Sequence, residues 1–323
     1  MKRVGVVAGS VAVALVVLGT GASLSGQEGV LRYRWTKGEA LRYRIVQETN
    51  AAMSGIPGIG EMNVRNVMTQ IQQMTATDVA ADGTATVQNK FESMRMEMGT
   101  PMGTFVYDST QPPDPNANEI IAQIGASMGA MIGESVTVVM SSTGAIQKIE
   151  GMKPILEKLK KTAPQGAMGA LGGLDSMLTD DSMKGAFGQG FGSFPTTPVK
   201  AGDSWKHELA MPNPFGMMSI AMSFTLKGME TTGGKETARI ASTATIKAAP
   251  SATPPPMPMP MTIQFSDGSG QGELLFDRKL GRTQKATFET TMPMTMVMTA
   301  PDGQTLNISA LTKTNMTMEL IEK

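Results

Sequence analysis

Thirty methionines, no cysteine and a single histidine set the chemistry open to this 323-residue chain. Thioethers recur at alternate positions: Met94, Met96 and Met98; Met257, Met259 and Met261; Met292, Met294, Met296 and Met298; Met316 and Met318. Successive side chains on a strand point to opposite faces, so each series places its sulfurs on one face. Such rows can act as soft ligands for Cu(I) or Ag(I), and Trp205 and His207, also two residues apart, would complete a set with Met294 and Met296. The same alternation also serves as a core-facing or ligand-facing stripe, in which Met fills irregular apolar space and adapts its shape. The apolar stripe is the favoured reading, and the metal set Trp205, His207, Met294 and Met296 is the alternative.

Other chemistry is narrowed by composition. Without Cys there are no disulfides, thiolate zinc sites or thiol nucleophiles, and one His cannot supply a two-histidine metal site. A Ser-His-acid triad would have to use His207, which sits between Lys206 and Glu208. Asp114, Asn116 and Asn118 begin like a calcium loop, but Glu119 stands where Gly is required and Gly125 where the bidentate Glu should be. Asp175, Asp180 and Asp181 form the densest acidic group and read as a solvated helix with acidic ends. Gly55, Gly58 and Gly60 read as turn glycines and not as a nucleotide fingerprint. No catalytic residue is assigned, no cofactor is expected, and the chain is read as non-enzymatic. Lys plus Arg equals 28 and Asp plus Glu equals 28, so there is no net field to draw nucleic acid.

The elements that must carry these rows are strands. Leu31, Tyr33 and Trp35 alternate with polar residues, and after Lys37 and Gly38 the alternation resumes at Leu41, Tyr43 and Ile45, which predicts a hairpin. Met218, Ile220, Met222, Phe224 and Leu226 share one parity; Phe288, Met292, Met294, Met296 and Met298 share another; Ile308, Ala310, Met316 and Met318 a third. A period of two sustained this far gives each strand one buried and one wet face. A strand over 304–319 would extend roughly 50 Å, so strong twist and curl are expected. The parity slip between Phe91 and Met94 predicts a bulge near Glu92 or Ser93. The expected fold is mainly β (α+β): a strongly curved antiparallel sheet or partly open barrel, with a few short helices packed on or near its concave face. The candidate ligand-binding residues on that face are Met218, Ile220, Met222, Phe224, Phe288, Met292, Met294, Met296, Met316 and Met318.

Helices are predicted over 119–132, with Asn118 as cap and Gly125, Gly129 and Gly133 allowing close approach, over 153–161, and as a short stretch at 174–184. The Gly- and Met-rich segment 164–194 reads as a lid or a permanent plug, and 253–260 as an extended Pro-rich loop. Lys2 and Arg3, an apolar run over 4–18 and small residues over 19–26 match a secretory signal peptide. An uncleaved anchor is the alternative. Residues 27–323 then form one β-rich domain, whose halves 27–151 and 199–323, joined by 152–198, follow a similar order of elements.

Three segments together, LRYRWTKGEALRYR at 31–44, GAIQKIEG at 144–151 and VKAGDSW at 199–205, resemble an uncharacterised family of secreted bacterial proteins, a domain of unknown function. The resemblance implies an exported location, periplasmic or extracellular, and transfers no catalytic residue. The expected role is an envelope protein that binds or carries a lipid or other hydrophobic small molecule on a Met-lined sheet face. Alternatives are a scaffolding protein with an envelope protein partner, and the soft-metal binder. Neither nucleic acid nor a stable membrane span after signal cleavage is expected.

Overall fold

The computed structural model describes residues 29–56, 60–100, 103–112, 119–162, 193–213, 216–232, 235–250, 261–299 and 305–321. In chain order the elements are β1 (Ala40–Ile56), β2 (Gly60–Val79), β3 (Ala85–Thr100), β4 (Gly103–Asp108), α1 (Glu119–Gly129), β5 (Ser135–Met140), β6 (Ile146–Glu150) and α2 (Met152–Thr162). They continue with β7 (Ser204–Asn213), β8 (Gly216–Thr232), β9 (Lys235–Pro250), β10 (Met261–Phe265), β11 (Gly268–Asp277), β12 (Arg282–Thr299) and β13 (Thr305–Ile321). All the strands pair antiparallel in one 13-stranded sheet, ordered β6-β5-β3-β2-β1-β13-β12-β11-β9-β8-β7, with β4 added to β3 and β10 to β12. The sheet does not close into a barrel, and the fold is the mainly β, unclosed antiparallel sheet that the alternation predicts.

The sheet is strongly curled. Tyr33 donates its backbone N–H to the Ser142 carbonyl in the β5–β6 turn, and Arg34, the next residue, donates to the Gly281 carbonyl in the β11–β12 turn. Four strands separate β5 from β12, which in a flat sheet is about 24 Å at a strand spacing of ~4.8 Å. Consecutive residues span only about 3.8 Å, so the two halves must fold towards each other at this end. Phe194, whose N–H donates to the Thr143 carbonyl, adds a second bridge, and Gly29 pairs with Val199 as a third. The result is a trough with a closed base. Its core stacks Tyr33 on Phe194 at 5.3 Å between ring centroids, sets Phe276 edge-on to both, and continues through Trp205 to Phe224. Val87, Val136, Met140, Ile155 and Ile240 complete it, all fully buried.

Residues 31–45 do not form the predicted hairpin. Residues 31–36 alternate in burial as expected, but they form no strand with β1; they cross the base, using their backbone groups on the two turns. Alternation reports which side is buried and not which backbone is the partner. The bulge falls as expected, since Ile71 faces Ser93 while Gln72 faces Phe91, leaving Glu92 unpaired in the ladder. Pro293 lies within β12 where its neighbour breaks between β10 and β11, so the missing N–H removes no ladder bond from a continuous strand. The helix of 153–161 is observed as α2. The helix of 119–132 ends earlier, at Gly129, and its glycines admit a ring instead of a backbone: a Cβ at Gly125 would stand 3.1 Å from Tyr107 Cδ2 on β4. The signal segment, the stretch 174–184, nearly all of 164–194 and the Pro-rich loop lie outside the described residues. Among the described residues no helix is long and apolar enough to cross a membrane.

Candidate functional site: the inner face of the trough

Register assigns each side chain to a face. On β1, Leu41, Tyr43, Ile45, Gln47, Thr49, Ala51 and Met53 look inward, opposite Met74, Gln72, Gln70, Met68, Asn66, Val64 and Met62 of β2. On the other flank Met316 and Phe288 pair, followed towards the tips by Thr314 with Thr290, Thr312 with Met292, Ala310 with Met294, and Ile308 with Met296. β10 extends the row, setting Phe265 against Met294 and Ile263 against Met296. The methionine series of β12 therefore faces the trough, beside the buried Ile308 and Ala310.

Three zones follow one another from base to tip. The base is the aromatic core. Tyr43 belongs to it; burial pushes its hydroxyl well above the ordinary phenol range, and the O–H donates to the Thr283 carbonyl at 3.0 Å. The middle is an uncharged polar belt. Asn89 Nδ2 donates to Gln72 Oε1 at 2.9 Å, Gln72 Nε2 to Gln70 Oε1 at 2.8 Å, and Gln70 Nε2 to Met68 Sδ at 3.2 Å. Beside them the Thr49 and Thr314 hydroxyls share a hydrogen bond of 3.2 Å. The Oδ1 atoms of Asn66 and Asn89 are buried and have no hydrogen-bond partner among the described residues. The tip zone carries Met53, Met62, Val64, Ile263, Phe265, Met292, Met294, Met296 and Met298, all half-buried.

The ion pairs of the described strands lie on the other face. Arg42 pairs with Glu92, Arg44 with Glu319, Arg65 with Glu48, and Arg239 with Glu230 and Glu273, all on outward positions. Among the described strand residues, the inward positions hold one charged side chain, Glu236, exposed at the β9 end beyond the base. His207 is also inward, paired with Met222, and burial holds its imidazole below the ordinary range, which favours the neutral ring.

The ten candidate ligand-binding residues divide in two. Ile220, Met222, Phe224 and Met318 are buried core, whereas Met218, Phe288, Met292, Met294, Met296 and Met316 are half-exposed towards the trough. Of the alternative metal set, Trp205 and His207 sit on β7, where Trp205 stacks on Phe224 and His207 pairs with Met222 of β8, and Met294 and Met296 sit on β12; β8, β9 and β11 lie between β7 and β12 in the strand order. Reading the sequence strand by strand misses the polar belt, because Gln47, Thr49, Asn66, Gln70 and Gln72 look like breaks in an apolar pattern. Their shared parity with Met53, Met62 and Met68 is the signal that assigns them to the same face. The sequence also holds a G-x-S-x-G spacing at Gly125, Ser127 and Gly129. A nucleophile elbow needs that serine on a strand-to-helix turn; here it lies inside α1. Gly270 and Gly272 on β11 leave room for the Phe288 ring, which a Cβ at Gly272 would meet at 2.6 Å. A concavity of about 570 Å³ at this thin point is lined by residues of both faces, among them Ser242, Gln271, Phe288 and Glu289.

A match to DUF6263, a family of unknown function, spans residues 82–283, and the chain belongs to that family. Of the three motif segments, 144–151 and 199–205 fall inside the match and 31–44 precedes it. The chain is similar to lipovitellin, from a structure of lipid–protein interactions, at 10% identity and a TM-score of 0.45, covering 90% of this chain and 26% of that one. It is also similar to DynF from the dynemicin biosynthesis pathway of Micromonospora chersina, at 11% identity and a TM-score of 0.20 over 89% of this chain and 84% of that one. A DUF1329 family protein from Desulfovibrio piger is similar at 9% identity and a TM-score of 0.13, over 86% of this chain and 85% of that one. The chain thus spans about a quarter of the lipovitellin chain it matches. No curated protein matches.

Proposed function

We propose that this chain is an exported, non-enzymatic carrier that holds a lipid or similar apolar molecule in the open part of its trough. The observation that carries the reading is the change in burial along one continuous face. Phe276 at the base is fully buried, yet Met294 and Met296, on the same face, keep part of their surface accessible. A row of flexible thioethers left half-exposed is suited to an apolar guest of variable shape. Export is supported by the basic, apolar and small-residue order of residues 1–26. A non-catalytic role is supported by the lack of Cys and by a lone His207 whose cross-strand partner is Met222.

The test is native mass spectrometry of the chain purified from the envelope fraction of its own source, with organic extraction of whatever it retains. Retained lipid that competes with a lipophilic dye is the expected result. A clean unliganded mass together with no dye binding would reject the carrier.

A further inference from the structure

The trough's inner face combines two properties that bear on its cargo. Among the described strand residues it offers no charged partner between base and tip, since their arginines and carboxylates look outward and the exposed Glu236 lies beyond the base. It nevertheless carries a band of amides and hydroxyls between the aromatic base and the methionine tip. The amide chain has a direction: Met68 Sδ can only accept, so Gln70, Gln72 and Asn89 each donate towards it, and the Asn89 oxygen is left open at the far end. The Asn66 oxygen, one pleat beyond Met68 and in register with Thr49, is the second open acceptor. A buried acceptor without a donor is costly, and a ligand O–H or N–H removes that cost. A carboxylate, phosphate or ammonium placed there would lose its hydration with no counter-charge to replace it.

We propose that the trough selects uncharged amphiphiles: the hydrocarbon part lies along Met292, Met294 and Met296, and a neutral, hydrogen-bond-donating head group, such as a hydroxyl, meets Asn66, Thr49 and Gln70. This rests on the carrier reading and names the class of its cargo. The belt turns a non-selective greasy channel into one that registers the ligand along the strands, with the head group at mid-depth. With no cation at the described inward strand positions between base and tip, the belt separates acylglycerol-like molecules from fatty acids of the same chain length.

The experiment displaces a lipophilic dye from the delipidated full chain with monoolein, methyl oleate and sodium oleate, at pH 8.5 and below micelle-forming concentrations. Monoolein should displace the dye at a concentration at least about tenfold lower than oleate, because the oleate carboxylate is ionised. Asn66→Leu combined with Gln70→Leu should weaken monoolein about tenfold and leave methyl oleate unchanged, after circular dichroism has verified the fold. Oleate binding as well as monoolein would overturn the proposal, and that comparison needs only the unaltered chain. An unchanged monoolein-to-methyl-oleate ratio in the variant would overturn the role of the belt. If none of the three displaces the dye, the carrier reading fails and this proposal with it, a result distinct from binding all three without preference.

Discussion

Phe276 has no exposed surface and touches two other rings, Tyr33 from the crossing segment and Phe194 from the segment that precedes β7. Truncating it would leave a cavity where three separate stretches of chain meet. Phe276→Ala should therefore lower the unfolding free energy by about 3–5 kcal/mol, read as a fall in the urea midpoint. His207 gives a pH-dependent counterpart. Burial lowers its pKa from 6.5 in the folded chain, so below that pH the unfolded chain binds the proton first. Stability should drop as pH falls through and below about 6.5, and His207→Gln should flatten that part of the curve in a thermal-melt series. An identical pH profile for the two proteins would show that the imidazole is not buried as described. From sequence alone His207 reads as a surface or hydrogen-bonded residue between Lys206 and Glu208; only the pairing with Met222 puts it on the inner face.

At the scale of elements, β11 is the least self-sufficient strand, with Gly268, Gly270 and Gly272 at its inward positions and the Phe288 ring of β12 lying over the last two. A side chain at position 272 would meet the Thr287 carbonyl oxygen as well as that ring. Gly272→Val should push Phe288 off β11 and destabilise the chain by about 1–3 kcal/mol, measurable by thermal denaturation. Gly38→Ala, where nothing approaches, should cost less and only through its backbone φ of +82°. Much of this level was legible in the sequence. The parity of β8, β12 and β13, the bulge at Glu92 and helix α2 follow from periods of two and 3.6. The crossing of the base by residues 31–36 was not legible, because Leu31, Tyr33 and Trp35 bury one side whether or not a strand lies beside them. The break between β10 and β11 opposite Pro293 was equally hidden, since it depends on which strand is the neighbour.

The whole molecule is a sheet sealed at one end by aromatic rings and open along a thioether-lined remainder. The methionine rows announced their common face, but not that Met222 and Met318 would be core while Met294 and Met296 stay accessible; that division depends on how far the curled halves meet. If the tip zone is a ligand surface and not a structural core, Met294→Lys combined with Met296→Lys should leave stability within about 1 kcal/mol yet abolish lipophilic-dye uptake in a fluorescence titration. A large loss of stability would mark these residues as packing.

The most direct measurement uses the absence of cysteine. Single substitutions Met294→Cys, Thr295→Cys, Ile308→Cys and Ser309→Cys, each labelled with a polarity-sensitive fluorophore, report the two faces of β12 and β13 at neighbouring positions. Blue-shifted emission is expected at 294 and 308, shifting further when monoolein is added, with water-like emission at 295 and 309 that monoolein leaves unchanged. Equal emission at all four positions, or a response to monoolein at 295 and 309, would contradict that expectation.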